Sequence, residues 1–102
     1  MHVYLIDPDA QTVTEHETTD VALLDTMRRL TGASTLDQGR FTRKGDQAWV
    51  HDTGLIDGLT RFRLAGRAYP MAGKAVVVGC DNMGEAQSPS MTLAELEAMI
   101  TW

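Results

Sequence analysis

Asp52-Thr53-Gly54, inside WVHDTGLIDG (49–58), is the triplet of this 102-residue chain that most resembles catalytic machinery. In an aspartyl hydrolase such a triplet presents a carboxylate, and two half-sized subunits would each bring one. Carboxylates that close share a proton, because both cannot ionise together. The apolar run VVVG (76–79) could stand for the later apolar-apolar-Gly element of such a subunit. Three details oppose this. Leu55 is bulky where Ala or Ser is wanted, and 25 residues from Gly54 to Gly79 leave little chain for a substrate-covering flap. A helix is also expected upstream, where strands belong. As turn chemistry the triplet is ordinary: Asp52 accepts backbone hydrogen bonds and Gly54 supplies a positive-φ position. The corner is the cheaper reading of Asp52.

Other candidate chemistries are weaker still. MAGKAVVVG (71–79) approaches a phosphate loop, but Ala68 and Ala75 stand where that pattern needs Gly and Ser or Thr. A helix should also follow the lysine, not an apolar strand. His2, His16, His51 and Cys80 match no short metal-ligand spacing, so no metal or cofactor is expected. A Cys80–His51 nucleophile pair stays open, against the reading of Cys80 as a small buried hydrophobe. Arg40, Arg43, Lys44, Arg61, Arg63 and Arg67 could form one cationic face, with Phe41 and Trp49 as stacking partners. Trp102 and Tyr69 could anchor a protein partner, unless Trp102 simply covers the core edge.

Composition bounds these options. The chain has the length of one domain, 1–102, with 43% apolar and 23% charged residues, ordinary for a soluble fold. One cysteine excludes an internal disulfide and fits a reducing cytoplasm. No apolar run approaches a membrane span, and MHVYLIDPDA does not read as a signal peptide. The net charge of −5 is segregated: all nine Lys and Arg fall within 28–74, while the flanking segments carry only acids. Acidic Glu15 and Glu17 are expected to pair with the basic middle, unless the surface is bipolar and steers a partner. An acidic chain without a reader motif argues against nucleic acid.

The elements that must position these residues follow from local chemistry. HVYLI (2–6) and TVTEHE (12–17) flank the turn DPDAQ and read as a hairpin. After TTD, Val21, Leu24, Met27 and Leu30 recur at helical spacing, Asp20 suits the positive end and Gly32 the stop, giving a helix over 20–31. STLDQGRFT and QAWVHD close on RKGD, with Gly45 at positive φ. LTRFRLA (59–65) alternates, placing Phe62 and Leu64 inside and Arg61 and Arg63 outside. KAVVVGC (74–80) does not alternate, as befits a central strand covered on both faces. GRAYPMAG and DNMGEAQSPS read as loops. Thr92 and Glu95 have capping-box spacing before a helix over 92–101 whose inner face is Leu93, Leu96, Met99 and Ile100. The expectation is an α+β domain: one antiparallel-rich mixed sheet of about six short strands with two helices packed on it.

LIDPDAQTVTE, the helix ending LTGAS, WVHDTGLIDGL and MAGKAVVVGCDNMGE together resemble a family of small phage- and mobile-element-borne proteins known only as a domain of unknown function. The resemblance implies no catalytic residues. It implies a phage or plasmid accessory role, such as binding and inhibiting a host defence complex. The expected function is therefore non-enzymatic protein binding in the bacterial cytoplasm, with a dimer an option. A small-molecule or nucleotide binder using 61–74 is the alternative, and a homodimeric aspartyl hydrolase using Asp52 the third.

Overall fold

A computed structural model describes Met1–Trp102. The first hairpin forms as the sequence requires: β1 (His2–Asp7) pairs antiparallel with β2 (Thr12–Glu17). Asp7 Oδ1 accepts from the amides of Asp9 and Ala10, so the turn is held by the aspartate's own side chain. Next come α1 (Leu23–Thr31) and a second hairpin of β3 (Leu36–Arg40) and β4 (Gln47–His51), turned at Gly45 with φ 97°. The alternating segment is β5 (Arg61–Leu64), with Phe62 and Leu64 buried and Arg61 and Arg63 exposed. Then follow β6 (Met71–Ala72), β7 (Ala75–Cys80), β8 (Ala86–Gln87), α2 (Leu93–Ala98) and β9 (Ile100–Thr101).

The fold is α+β, and every strand pairing is antiparallel. Two sheets form where one was expected. The larger runs β2-β1-β7-β4-β3, with β8 also on β7; the smaller runs β6-β5-β9. The additional strands are two-residue pieces inside the segments GRAYPMAG, DNMGEAQSPS and the end of the last expected helix. Such pieces exist only because a longer strand lies beside them to accept their backbone hydrogen bonds, so no periodicity could announce them.

Strand β7 is the axis. Val76 and Val78 join Val3 and Met27 beneath α1, whereas Ala75 and Val77 join Tyr4, Ile6, Phe62, Leu64 and Leu96 on the opposite face. Burial of each valine contributes about 2 kcal/mol. The larger sheet is thus covered by α1 on one face, and by the smaller sheet with α2 on the other. Tyr4 is buried there and its hydroxyl donates to Met91 O at 3.0 Å. Burial raises its pKa, and nearby Glu15 and Glu95 raise it further.

Both helices are shorter than their patterns suggested. Helix α1 begins at Leu23, and Val21 and Leu24 are exposed; the packed face is Leu23, Met27 and Leu30, with Thr26 buried. Thr19 Oγ1 does accept a backbone amide, that of Ala22, but in the turn before the helix. Gly32 ends α1 in the left-handed region, φ 73°. Helix α2 has the expected capping box between Thr92 and Glu95. The Glu95 pKa is lowered, chiefly by hydrogen bonding to Thr92 and further by the charge of Lys44. The chain leaves α2 after Ala98, so that Ile100 and Thr101 can pair with Leu64 and Arg63.

One buried charge ties the 81–90 loop to the second hairpin. Asp46 is 1% exposed. Its carboxylate accepts from Thr42 Oγ1 at 2.6 Å, from the Ser90 amide at 2.8 Å and from Ser90 Oγ. A desolvated carboxylate is tolerated because each donor compensates lost water. Replacing Asp46 by Ala removes the shared acceptor of Thr42 Oγ1, the Ser90 amide and Ser90 Oγ, and should lower stability by about 3 kcal/mol. Urea denaturation reads that as a fall in midpoint, and an unchanged midpoint would refute the account.

Candidate binding groove

Strand β4 ends at His51, at one end of the larger sheet, and the chain then makes consecutive turns through 52–58. Asp52 is the corner. Its amide donates to Thr35 O at 3.3 Å and its Oδ1 accepts from Thr35 Oγ1 at 2.8 Å, locking the turn to the start of β3. Gly54 differs from expectation: it is not at positive φ, a role that Gly58 takes at 72°. Gly54 is required by close approach, since a Cβ there would lie 2.7 Å from Ala72 O. The loop is thereby pressed against β6, and Leu55 and Ile56 are turned outward, 48% and 87% exposed.

Opposite this loop, residues 66–70 bring Tyr69, 78% exposed, and Pro70 over the same depression. Together the two loops enclose a groove of about 310 Å³ whose walls include Val50, Leu55, Ile56, Tyr69 and Met71. Asp37, His51, Asp52 and Arg67 supply its polar atoms. An apolar concavity with a few convergent polar groups has the character of a binding site. A wider depression of about 770 Å³ beside Thr19 and Ser88 is mostly polar and open to solvent.

The expected cationic face is divided. Arg40 donates to Thr42 O and Arg43 O, and Arg67 donates to Arg40 O at 3.4 Å while lying over Gly39. Those three gather by the β3–β4 turn, which also carries Lys44. Arg61, Arg63 and Trp102 instead line a separate pocket of about 250 Å³ with Pro70 and Thr101. Trp102 lies against Phe62, ring centroids 6.3 Å apart, and is 42% exposed, so it both covers the core edge and reaches solvent. Phe41 is buried and Trp49 packs half-buried on the α1 side of the sheet, which removes both as stacking partners.

The salt pairing expected from Glu15 and Glu17 does not form. The one contact between opposite ionisable side chains within 4 Å is His51 Nδ1 to Asp52 Oδ1, at 3.9 Å. Topology explains this. Strand β2 occupies one edge of the larger sheet and β3 the other, about 19 Å apart at ordinary strand spacing. The Cys80–His51 pair is broken for a similar reason. Val50 pairs with Ala75, so His51 lies beyond the opposite end of β7 from Cys80, about 20 Å away along the strand. No three His, Cys, Asp or Glu side chains cluster as metal ligands would, and no helix is long and apolar enough to cross a membrane.

The family model for a domain of unknown function, DUF3846, matches residues 1–101. The chain belongs to this family. Neither the curated proteins nor the solved structures contain a match to it. The family carries no assigned chemistry, so the groove must be read from its own residues. Its apolar rim was partly visible in the sequence: adjacent Leu55 and Ile56 stand out in a turn otherwise made of Asp, Thr and Gly.

The groove depends on loop 52–58 sitting tightly on β6. Substituting Gly54→Ala forces Ala72 O or the loop to move, and should lower stability by about 2 kcal/mol. It should also displace the amide resonances of Leu55 and Ile56. Unchanged resonances with wild-type stability would show that the loop is not clamped there.

Proposed function

We propose that this DUF3846 protein is a non-enzymatic binding protein, which seats an apolar side chain of a protein partner in the groove between residues 52–58 and 66–70. The observation that carries this reading is the joint exposure of Leu55, Ile56 and Tyr69 around one apolar concavity. Exposed apolar side chains scattered singly need no explanation, but several around one concavity fit a docking site. Charge suits the same role. Asp37 and Asp52 at the groove, in a chain of net charge −5, favour a partner segment with basic flanks. The accessory role is of phage or plasmid type, and inhibition of a host defence complex is the activity such a surface would serve. Single residues at a groove rim often carry most of the binding energy.

Ile56→Glu, fully on the surface, should leave stability within about 0.5 kcal/mol of wild type. It should weaken capture of the partner about 30-fold or more. The measurement is recovery from host lysate by wild type and variant side by side, with a photo-crosslinker at position 56 to identify what sits there. Equal recovery and no crosslink at 56 would refute docking at this groove.

A second reading is supported by the other pocket. Arg61 and Arg63 lie two residues apart on the outer face of β5, next to the Thr101 hydroxyl and the Trp102 indole, with no carboxylate within 4 Å. That combination suits a nucleotide, whose phosphate the guanidiniums would hold. Nucleotides should then raise the melting temperature of wild type and leave that of Arg61→Gln/Arg63→Gln unchanged. No shift at millimolar nucleotide would remove this reading.

A further inference from the structure

The two edges of the larger sheet differ in what their backbones leave unbonded. Met1 and Thr18 exchange both main-chain hydrogen bonds: the Thr18 amide donates to Met1 O at 3.0 Å and the Met1 ammonium to Thr18 O at 3.2 Å. Bonded pairs recur at every second residue of an antiparallel ladder, so Val3–His16, Leu5–Thr14 and Asp7–Thr12 follow. Tyr4 and Ile6, which alternate with them, turn instead to Val77 and Ala75 of β7. Val13, Glu15 and Glu17 therefore aim their amides and carbonyls away from β1. No group of the chain meets these outward amides and carbonyls.

The β3 edge, by contrast, is closed by its own side chains. The Phe41 amide donates to Asp46 O and the Asp52 amide to Thr35 O, which leaves Leu36, Gln38 and Arg40 facing outward. Asp37 Oδ1 accepts the Gln38 amide at 2.9 Å, and Arg67 Nη1 donates to Arg40 O at 3.4 Å. Such caps blunt an edge against strand addition. Strand β2 has none: it contains no Pro, Gly or Lys, and its register runs without a bulge from Thr12 to Glu17. A row of unbonded amides and carbonyls is a template for one more strand. The main chain then supplies affinity, and side chains at alternate positions supply specificity.

The side chains of β2 select that strand. Val13, Glu15 and Glu17 share one face, and residues of an added strand lie directly opposite them. Glu15 and Glu17 are exposed and have no cation within 4 Å. The chain before Arg28 holds acids and no Lys or Arg, so nothing local offsets them. Val13 is half-buried against the core. A second copy adding through the full length of its own β2 sets Glu15 opposite Glu15, which is repulsive. An antiparallel strand with basic, basic and apolar residues at alternate positions answers Glu17, Glu15 and Val13 in turn.

We propose that the β2 edge binds an extended basic segment of a protein partner by antiparallel strand addition, reading the pattern basic-x-basic-x-apolar. This does not depend on docking at the 52–58 groove.

The test titrates acetyl-TRTRTVT-amide into the ¹⁵N-labelled full chain. The Val13, Glu15 and Glu17 amides should move downfield and gain protection from hydrogen exchange, while the Leu36 amide stays unchanged. The same peptide N-methylated at both arginines keeps its charge and loses two backbone donors. It should bind about tenfold more weakly, the effect of two hydrogen bonds. Acetyl-TETETVT-amide should also bind about tenfold more weakly, because two attractive cross-strand pairs become repulsive. Glu15→Lys/Glu17→Lys should reverse that preference, and the peptide comparisons on wild type stand whether or not this variant folds. Equal binding of the N-methylated peptide would reduce the contact to charge attraction and overturn the proposal. So would shifts confined to another surface, no shifts at millimolar peptide, or protection of the same three amides by self-association of the chain.

Discussion

The whole molecule depends on one strand being desolvated on both faces and hydrogen-bonded along both edges. Ala75–Cys80 presents Val76 and Val78 to one layer and Ala75 and Val77 to the other. Its backbone pairs with β1 on one side and β4 on the other, and its last two residues also pair with β8. A strand in that position cannot carry a charged or bulky polar side chain, because any such group would be buried without water. Everything else is placed relative to it. The acidic hairpin lies to one side of it and the basic hairpin to the other, and the smaller sheet covers one face.

That placement separates acidic β2 from the basic β3–β4 hairpin. Acidic β2 and the cationic β3–β4 turn end up at opposite edges because β1, β7 and β4 stand between them. Neutralisation across the molecule is then geometrically closed, and arginines such as Arg40 and Arg67 turn to backbone carbonyls instead. Exposed ion pairs contribute little in any case, so the fold loses little stability by forgoing them.

The groove arises at the edge of the same framework. Strand β4 ends at His51, and the chain needs a compact way of reaching β5. Asp52 anchors the corner to Thr35, Gly54 allows contact with β6, and Thr53 bridges His51 and Asp57. Each of these small polar residues satisfies a local backbone or side-chain need. Their combined effect is to leave Leu55 and Ile56 with no interior to enter. The Asp-Thr-Gly triplet is thus structural in its backbone, while its neighbours His51 and Ile56 face the groove.

The sequence by itself determined the elements with strong local causes. The Asp7 turn, the Gly45 hairpin, the alternation of Arg61–Leu64, the unbroken apolar run at 75–79 and the Thr92–Glu95 cap each encode their own geometry within a few residues. The face of α1 was misread because Val21 and Leu24 fit the helical period as well as Leu23 does, and only the position of the sheet selects between them. Tertiary structure alone decided the rest. Strands β6, β8 and β9 exist by pairing with partners distant in sequence. Asp46 reads as a turn residue until Ser90, 44 positions away, arrives to bury it. The groove likewise needs two loops that no local pattern connects. The physical reason is the same throughout: periodicity and turn chemistry act over a few residues, whereas burial and pairing are properties of what the folded chain brings beside them.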